Sequence, residues 1–150
     1  MFEPRRILVP TDFSKYSDRA LGIAVDIAQE YRAKIYLLHV ISEVAYQCGI
    51  DYCLSGADLA KIEKLSLRTS TDKLQAEVRR IVKSAGGVDI TSYIKRGRPH
   101  ETVLKEEREK KIDLIVIASH GRTGIMKHLM GSIAEKVLKG ARRPVLLVKP

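Results

Sequence analysis

Two short stretches of the chain combine residue types that handle a phosphate. One is Ala118-Ser119-His120-Gly121, followed after nine residues by Gly131-Ser132, and the other is Pro10-Thr11-Asp12-Phe13-Ser14. Glycines let backbone amides come close to a phosphate. Gly131-Ser132 stands where a helix begins, so unpaired N–H groups and the helix dipole favour an anion there. Gly121 and Gly131 together suit the clasping of a phosphate chain; alternatively Gly121 and Gly124 do no more than shape a turn. Ser132 can cap its helix and touch a phosphate at once, and Asp12 either binds a ligand or caps the first helix. His120 invites an acid–base role, but nothing in the sequence orients it, and the plainer reading is a solvated loop histidine. Arg122, Lys127 and His128 either steer phosphate or form a solvated basic face.

Known phosphate loops do not account for these residues. A P-loop needs Gly-Lys-Ser or Gly-Lys-Thr, which the chain lacks. The dinucleotide fingerprint needs glycines after the first strand, where Thr11-Asp12-Phe13 stands instead. Gly121-Arg122-Thr123-Gly124 matches the Gly-x-x-Gly of a KH domain literally, but the surrounding order of elements is wrong for one. A phospho-receiver needs clustered acids after strand one and an aspartate after strand three; here Asp12 is alone and strand three ends in Lys95-Arg96. A zinc site built on Cys48 and Cys53 needs His39, His100, His120 or His128 to converge from distant places, so the two cysteines read as plain thiols in a reducing cytosol.

The 150 residues suit one domain, 1–150, and carry 27 basic against 18 acidic side chains, a net charge of +9. Such a surface favours anions: nucleotides, phosphates or nucleic acid. With no tryptophan, two phenylalanines and six scattered tyrosines there is no stacking platform for single strands, which makes nucleic acid the weaker choice. The longest apolar runs, such as Leu114 to Ala118, fall far short of the roughly 20 residues of a membrane span, and the apolar residues before Pro10 are too few for a secretory signal. The expected location is the cytoplasm, with no membrane partner.

Hydrophobic periodicity supplies the elements that must position these residues. Ile7-Leu8-Val9-Pro10 reads as a buried strand closed by its proline. Apolar positions at helical spacing predict a helix over 14–33, capped by Ser14 or Ser17. Strand two follows at 34–40, then an irregular connection over 41–56. A second helix runs from about Asp58 to Ala85, a third strand from Val88 to Ile94, and a helix opened by Pro99 to about Lys111. The alternating charges of 105–111 form an exposed face of that helix. The apolar run Leu114 to Ala118 is the expected central parallel strand. A short helix from Ser132 to about Ala141, with Ile133, Val137 and Leu138 inward, precedes the last strand at 144–148. This alternation predicts a three-layer α/β sandwich with a doubly wound, parallel five-stranded sheet of order 3-2-1-4-5. Ligands of such sheets bind beyond the carboxyl ends of the strands where the winding reverses, between strands one and four, and both candidate stretches follow those strands.

The chain resembles the universal stress protein family over nearly its whole length. Ile7-Leu8-Val9-Pro10-Thr11-Asp12-Phe13-Ser14 resembles the family's opening, and Gly97-Arg98-Pro99 its turn before the third helix. The stretch from Ala118 to Ser132 is similar to the Gly-x2-Gly-x9-Gly-Ser pattern of the ATP-binding branch, with Ala118 in place of the first glycine. The resemblance implies a Rossmann-like, adenine nucleotide alpha hydrolase-like sheet and a bound ATP. In it Asp12 contacts the ribose or adenine edge, the Val40 backbone contacts adenine, and Ala118 lies beside the ribose. Gly121, Gly131, Ser132 and the Ile133 amide hold the phosphates, with Pro10, Thr11 and Arg122 completing the set. A Mg2+ or Mn2+ ion is then held mainly by the phosphates and water, since no cluster of acids makes a cage.

The leading expectation is a nucleotide-dependent regulatory or switch protein in a stress response, acting on an unidentified regulatory partner, and not a committed catalyst. Phosphoryl transfer also requires a positioned nucleophile and a metal near the leaving group, and neither is visible. The alternatives are a slow nucleotide hydrolase using His120 or Ser132, a nucleotide-free interaction module favoured by Ala118, and, weakest, a nucleic-acid binder. The uncharged apolar run Val145 to Val148 falls on the sheet edge and, flanked by Pro144 and Lys149-Pro150, is expected to pair with a second copy as a homodimer.

Overall fold

The computed structural model describes residues 1–43, 55–121 and 130–150. Its strands are β1 (Arg6–Thr11), β2 (Lys34–Ser42), β3 (Asp89–Gly97), β4 (Leu114–Ala118) and β5 (Val145–Val148). The intervening helices are α1 (Lys15–Tyr31), α2 (Gly56–Ser84), α3 (Pro99–Glu109) and α4 (Ser132–Gly140). All strand pairs are parallel and the sheet order is β3-β2-β1-β4-β5, as the alternation of elements requires. Among the described residues no helix is long and apolar enough to cross a membrane.

Successive residues of a strand point to opposite faces, and the core divides accordingly. Ile7 and Val9 join Val116 and the apolar stripe of α1, with Leu21, Ala24 and Val25, on one face. Leu8, Ile115 and Ile117 join Val103 of α3 and Val137 of α4 on the other. Each large side chain of this kind contributes about 1.5–3 kcal/mol by leaving water. β4 is buried at all five positions, as a central strand covered on both faces must be.

Several local expectations are corrected. β1 does not close at Pro10: the proline lies within the strand opposite Leu38, and Thr11 pairs with His39, because an extended backbone accommodates proline's φ and only its N–H is missing. β2 and β3 run on together to Ser42 and Gly97, past the apolar positions, since backbone pairing holds them after the side chains turn polar. Helix α2 extends from a Ser55 cap through its whole predicted length, yet its buried residues, Ser70, Leu74 and Ile81, lie in the second half, and Ile62 and Leu65 are exposed. Its inward face in α4 is Ala134 and Val137; Ile133 and Leu138 point outward.

The charge run of α3 is also not all solvated. Glu106 and Glu107 are buried, because each finds a partner from another element. Glu107 Oε1 accepts hydrogen bonds from the backbone N–H groups of Arg142 (2.8 Å) and Arg143 (2.7 Å), and Glu106 lies 3.5 Å from Lys95 Nζ. Hydrogen bonds to a charged acceptor contribute about 1.5–3 kcal/mol each, enough to hold the entry to β5 against α3.

Where α1 meets α2, Glu77 reaches toward Thr11 at the end of β1, its Oε1 3.4 Å from the Thr11 hydroxyl. Burial first, and then the neighbouring Asp18 carboxyl, push its pKa from 4.5 up to about 7, against the pull of Arg80 and Thr11. Arg80 itself pairs with Asp18 at 3.1 Å. Between pH 4.5 and about 7 the folded chain therefore keeps a proton that the unfolded chain has lost, so this group's contribution to stability declines as pH rises through that window. Glu77→Gln keeps the acceptor for Thr11 without the charge. In urea unfolding at pH 5 and pH 8, the variant is expected to lose less stability than wild type between the two pH values and to be the more stable protein at pH 8. An unchanged difference would show that Glu77 does not titrate in this way.

Candidate functional site

The end of β1 turns into α1 through a tightly determined loop. Thr11 Oγ1 accepts from the Phe13 N–H at 3.1 Å, Asp12 Oδ1 accepts from the Ser14 N–H at 3.0 Å, and Ser14, the N-cap, accepts from the Ser17 N–H at 3.2 Å. Between them Phe13 is held at φ 62°, a left-handed conformation costly for a side chain of its size, which persists because the surrounding bonds over-determine it. Its ring lies 4.3 Å, centroid to centroid, from His39, and His39 Nδ1 is 2.8 Å from the Thr11 carbonyl oxygen. The carbonyl can only accept, so the proton is on Nδ1. Asp12 thus shapes the turn while Ser14 caps the helix. Thr11, 5 % exposed, spends its hydroxyl on Ser17, Phe13 and Glu77.

Opposite this loop, β4 ends at Ala118 and the chain returns at Gly131, whose N–H donates to the Ser119 carbonyl at 2.7 Å. A β-carbon at residue 131 would stand 3.3 Å from that carbonyl oxygen, and one at residue 121 would stand 2.9 Å from Asp12 Oδ2. Glycine at 121 lets the second loop close on Asp12 of the first, and glycine at 131 lets the two ends of the second loop close on each other. Gly131, not Ser132, is the N-cap of α4, and no side chain caps the helix. The helical ladder starts with the Glu135 N–H donating to the Gly131 carbonyl at 2.9 Å, so the amides of Ser132, Ile133 and Ala134 form the first turn, with the positive end of the helix dipole behind them.

These loops enclose a cavity of about 310 Å3 at the carboxyl ends of the strands. That lies within the roughly 300–1,000 Å3 of small-molecule clefts. Pro10 and Thr11 line it from β1, Asp12 from the first loop, Val40 from β2, Ala118 from β4, Gly121 and Gly131 from the second loop, and Ser132 and Ile133 from the start of α4. The structure therefore brings nine of the ten expected site residues to one place. Arg122 lies outside the described residues, as do Gly124, Lys127, His128, Cys48 and Cys53. His120 also lines the cavity and is not simply solvated: it is half-buried, with Nδ1 2.8 Å from Ser119 Oγ and its ring 6.0 Å from that of Tyr16.

Sequence reasoning missed part of the wall. Leu38, Ile117 and Val103 give it an apolar side, with Pro99 at the start of α3, and His39 brings an imidazole to the end of β2. His39 carried a detectable signal, since it immediately precedes Val40 at a strand's carboxyl end. Val103 carried none, because only the crossover of α3 back over β2 brings it near.

The universal stress protein family model matches residues 3–149. Universal stress protein MJ0531 of Methanocaldococcus jannaschii is 33% identical over 147 residues, covering 97% of this chain and 82% of that protein. The solved structure of MJ0577 superposes with a TM-score of 0.86 at 27% identity, covering 100% of this chain and 98% of the other. A universal stress protein solved in complex with cAMP shares the fold, with a TM-score of 0.72, 24% identity and 98% of each chain covered. Matched in sequence and in fold over nearly its whole length, the chain belongs to the universal stress protein family.

Proposed function

We propose that the chain is an adenine-nucleotide-binding regulatory protein of the ATP-binding branch of its family. The observation that carries this reading is the start of α4, which has no side-chain cap and whose first residues line one cavity together with Asp12. A nucleotide phosphate supplies the acceptors that those amides lack, and the dipole favours its charge. The Gly131 amide is already engaged by Ser119, so the phosphates fall to Ser132 and Ile133. Asp12 takes the ribose or adenine edge, Ala118 lies beside the ribose, and the apolar wall with the Val40 backbone takes the base. Pro10 and Thr11 hold the loop, Thr11 through bonds internal to the protein. That a family member is solved with cAMP supports an adenine ligand.

Among the described residues no group of three or more His, Cys, Asp or Glu side chains lies together as a metal cage. A Mg2+ or Mn2+ ion entering with ATP is, in this reading, held by phosphate oxygens and water. The site's own residues bind and orient; occupancy is the signal, passed to a protein partner.

Isothermal titration with ATP and Mg2+ should show saturable binding. Gly131→Val sets a branched side chain against Ser119 and the phosphates and should weaken it at least about tenfold, or about 1.4 kcal/mol. Equal affinity in a folded variant would remove this loop from the site. Phosphate release by the purified protein should be far below the ordinary enzyme scale of about 10 s⁻¹. A rate near that scale, abolished by His120→Ala or Ser132→Ala, would make the protein a hydrolase instead.

The reading includes a homodimer along β5, which has a neighbour on one side only and leaves Leu146 37% exposed. Val148, 7% exposed, belongs to the core and is unsuited to a charge test, although it shares the strand face of Leu146. Leu146→Lys should turn a dimer into a monomer by light scattering with the circular dichroism unchanged. A wild-type monomer at tens of micromolar would end the proposal.

A further inference from the structure

The opposite end of the sheet carries a second cavity, of about 440 Å3, whose lining is entirely charged. It sits where the chain enters β1, β4 and β5 and where α3 and α4 end. Its cations are Arg6, Arg108, Lys111, Arg142 and Arg143, and its two carboxylates are Glu107 and Asp113.

Both carboxylates are turned to internal work. Asp113 Oδ2 accepts from the backbone N–H groups of Arg5 (3.0 Å) and Arg6 (2.9 Å), and Glu107 Oε1 from those of Arg142 and Arg143. One oxygen of each acid is thus taken by backbone, and the five cations of the lining outnumber its two carboxylates. Arg108, Lys111, Arg142 and Arg143 form no ion pair among the described residues, and Arg6 Nε reaches Asp113 only at 3.9 Å. Two polar atoms of the lining are buried without a hydrogen-bond partner: Arg6 Nε, a donor, and Glu107 Oε2, an acceptor on a side chain 2% exposed. Buried polar groups are nearly always hydrogen-bonded, so each of these atoms marks an electrostatic demand left unmet in the wall of the cavity.

We propose that this cavity binds a small oligophosphate anion. A phosphate offers acceptors to the guanidinium groups, and arginine forks suit phosphate geometry. The lining has no aromatic or aliphatic side chain, so recognition is of the phosphate and not of a base. The site is separate from the cavity at the carboxyl ends and does not depend on the function assigned there.

Tripolyphosphate is the probe, titrated into the full chain at fixed ionic strength, by calorimetry and by amide chemical shifts. Saturable binding is expected, with shifts concentrated at Arg6, Asp113, Arg142 and Arg143. Arg142→Gln with Arg143→Gln preserves the backbone N–H groups that hold Glu107 and should weaken binding at this cavity at least about tenfold with the fold intact, while in Gly131→Val the shifts at Arg6, Asp113, Arg142 and Arg143 persist. ATP should reproduce the same shifts only in addition to those at Ser132 and Ile133. Non-saturable binding, shifts spread over all basic residues, full affinity at this cavity in the double variant, or loss of the shifts at Arg6, Asp113, Arg142 and Arg143 in Gly131→Val would each overturn the proposal. Should the double variant unfold, Lys111→Gln with Arg108→Gln gives the same decision.

Discussion

The reversal of winding between β1 and β4 is the constraint on which the rest of the structure depends. From β1 the chain crosses by α1 and α2 toward β3 on one face; from β3 it returns by α3 to β4 on the other, and α4 continues outward to β5. No crossover covers the carboxyl ends where the two directions part. The ladder between β1 and β4 holds the pairs Ile7↔Leu114 and Leu8↔Ile115, whereas β1 pairs with β2 from Arg6 to Thr11. The loops that follow Thr11 and Ala118, where β1 and β4 end, form walls of the cavity.

The opening rests on packed core at its apolar wall, Leu38, Val103 and Ile117, and the loops at its rim are held by hydrogen bonds. The Ser119–Gly131 bond pins both ends of the second loop whatever the chain does between them. On the first loop, Thr11, Asp12 and Ser14 each accept from a backbone N–H and hold Phe13 in its left-handed conformation. Preorganised donors cost no rearrangement when an anion arrives. Glu77 ties this arrangement to α2, so a group that titrates near neutrality lies one hydrogen bond from the loop.

The net charge of +9 is not spread without pattern. At the carboxyl end the positive potential comes from backbone, through the start of α4; at the amino end it comes from arginine and lysine side chains around the buried Glu107 and the partly exposed Asp113. Backbone amides discriminate by geometry, and flexible cationic side chains by charge.

The order of elements, the buried central strand Leu114 to Ala118 and the two loops at the switch point were legible in the sequence, because periodicity and glycine placement are properties of neighbouring residues. So was the convergence of Asp12 with Gly121 and Gly131, which follows from strand order alone. Tertiary structure decided which groups remain available. The Gly131 amide is consumed by Ser119, the Thr11 hydroxyl by Ser17 and Glu77, and Glu106 and Glu107 are buried in a run that reads locally as a solvated face. It also brought Val103 and His39 to the cavity and turned Ile133 and Leu138 outward. Such outcomes depend on hydrogen bonds and burial between residues far apart in the chain, as between Arg6 and Asp113, 107 positions away, and no local pattern encodes who the distant partner will be.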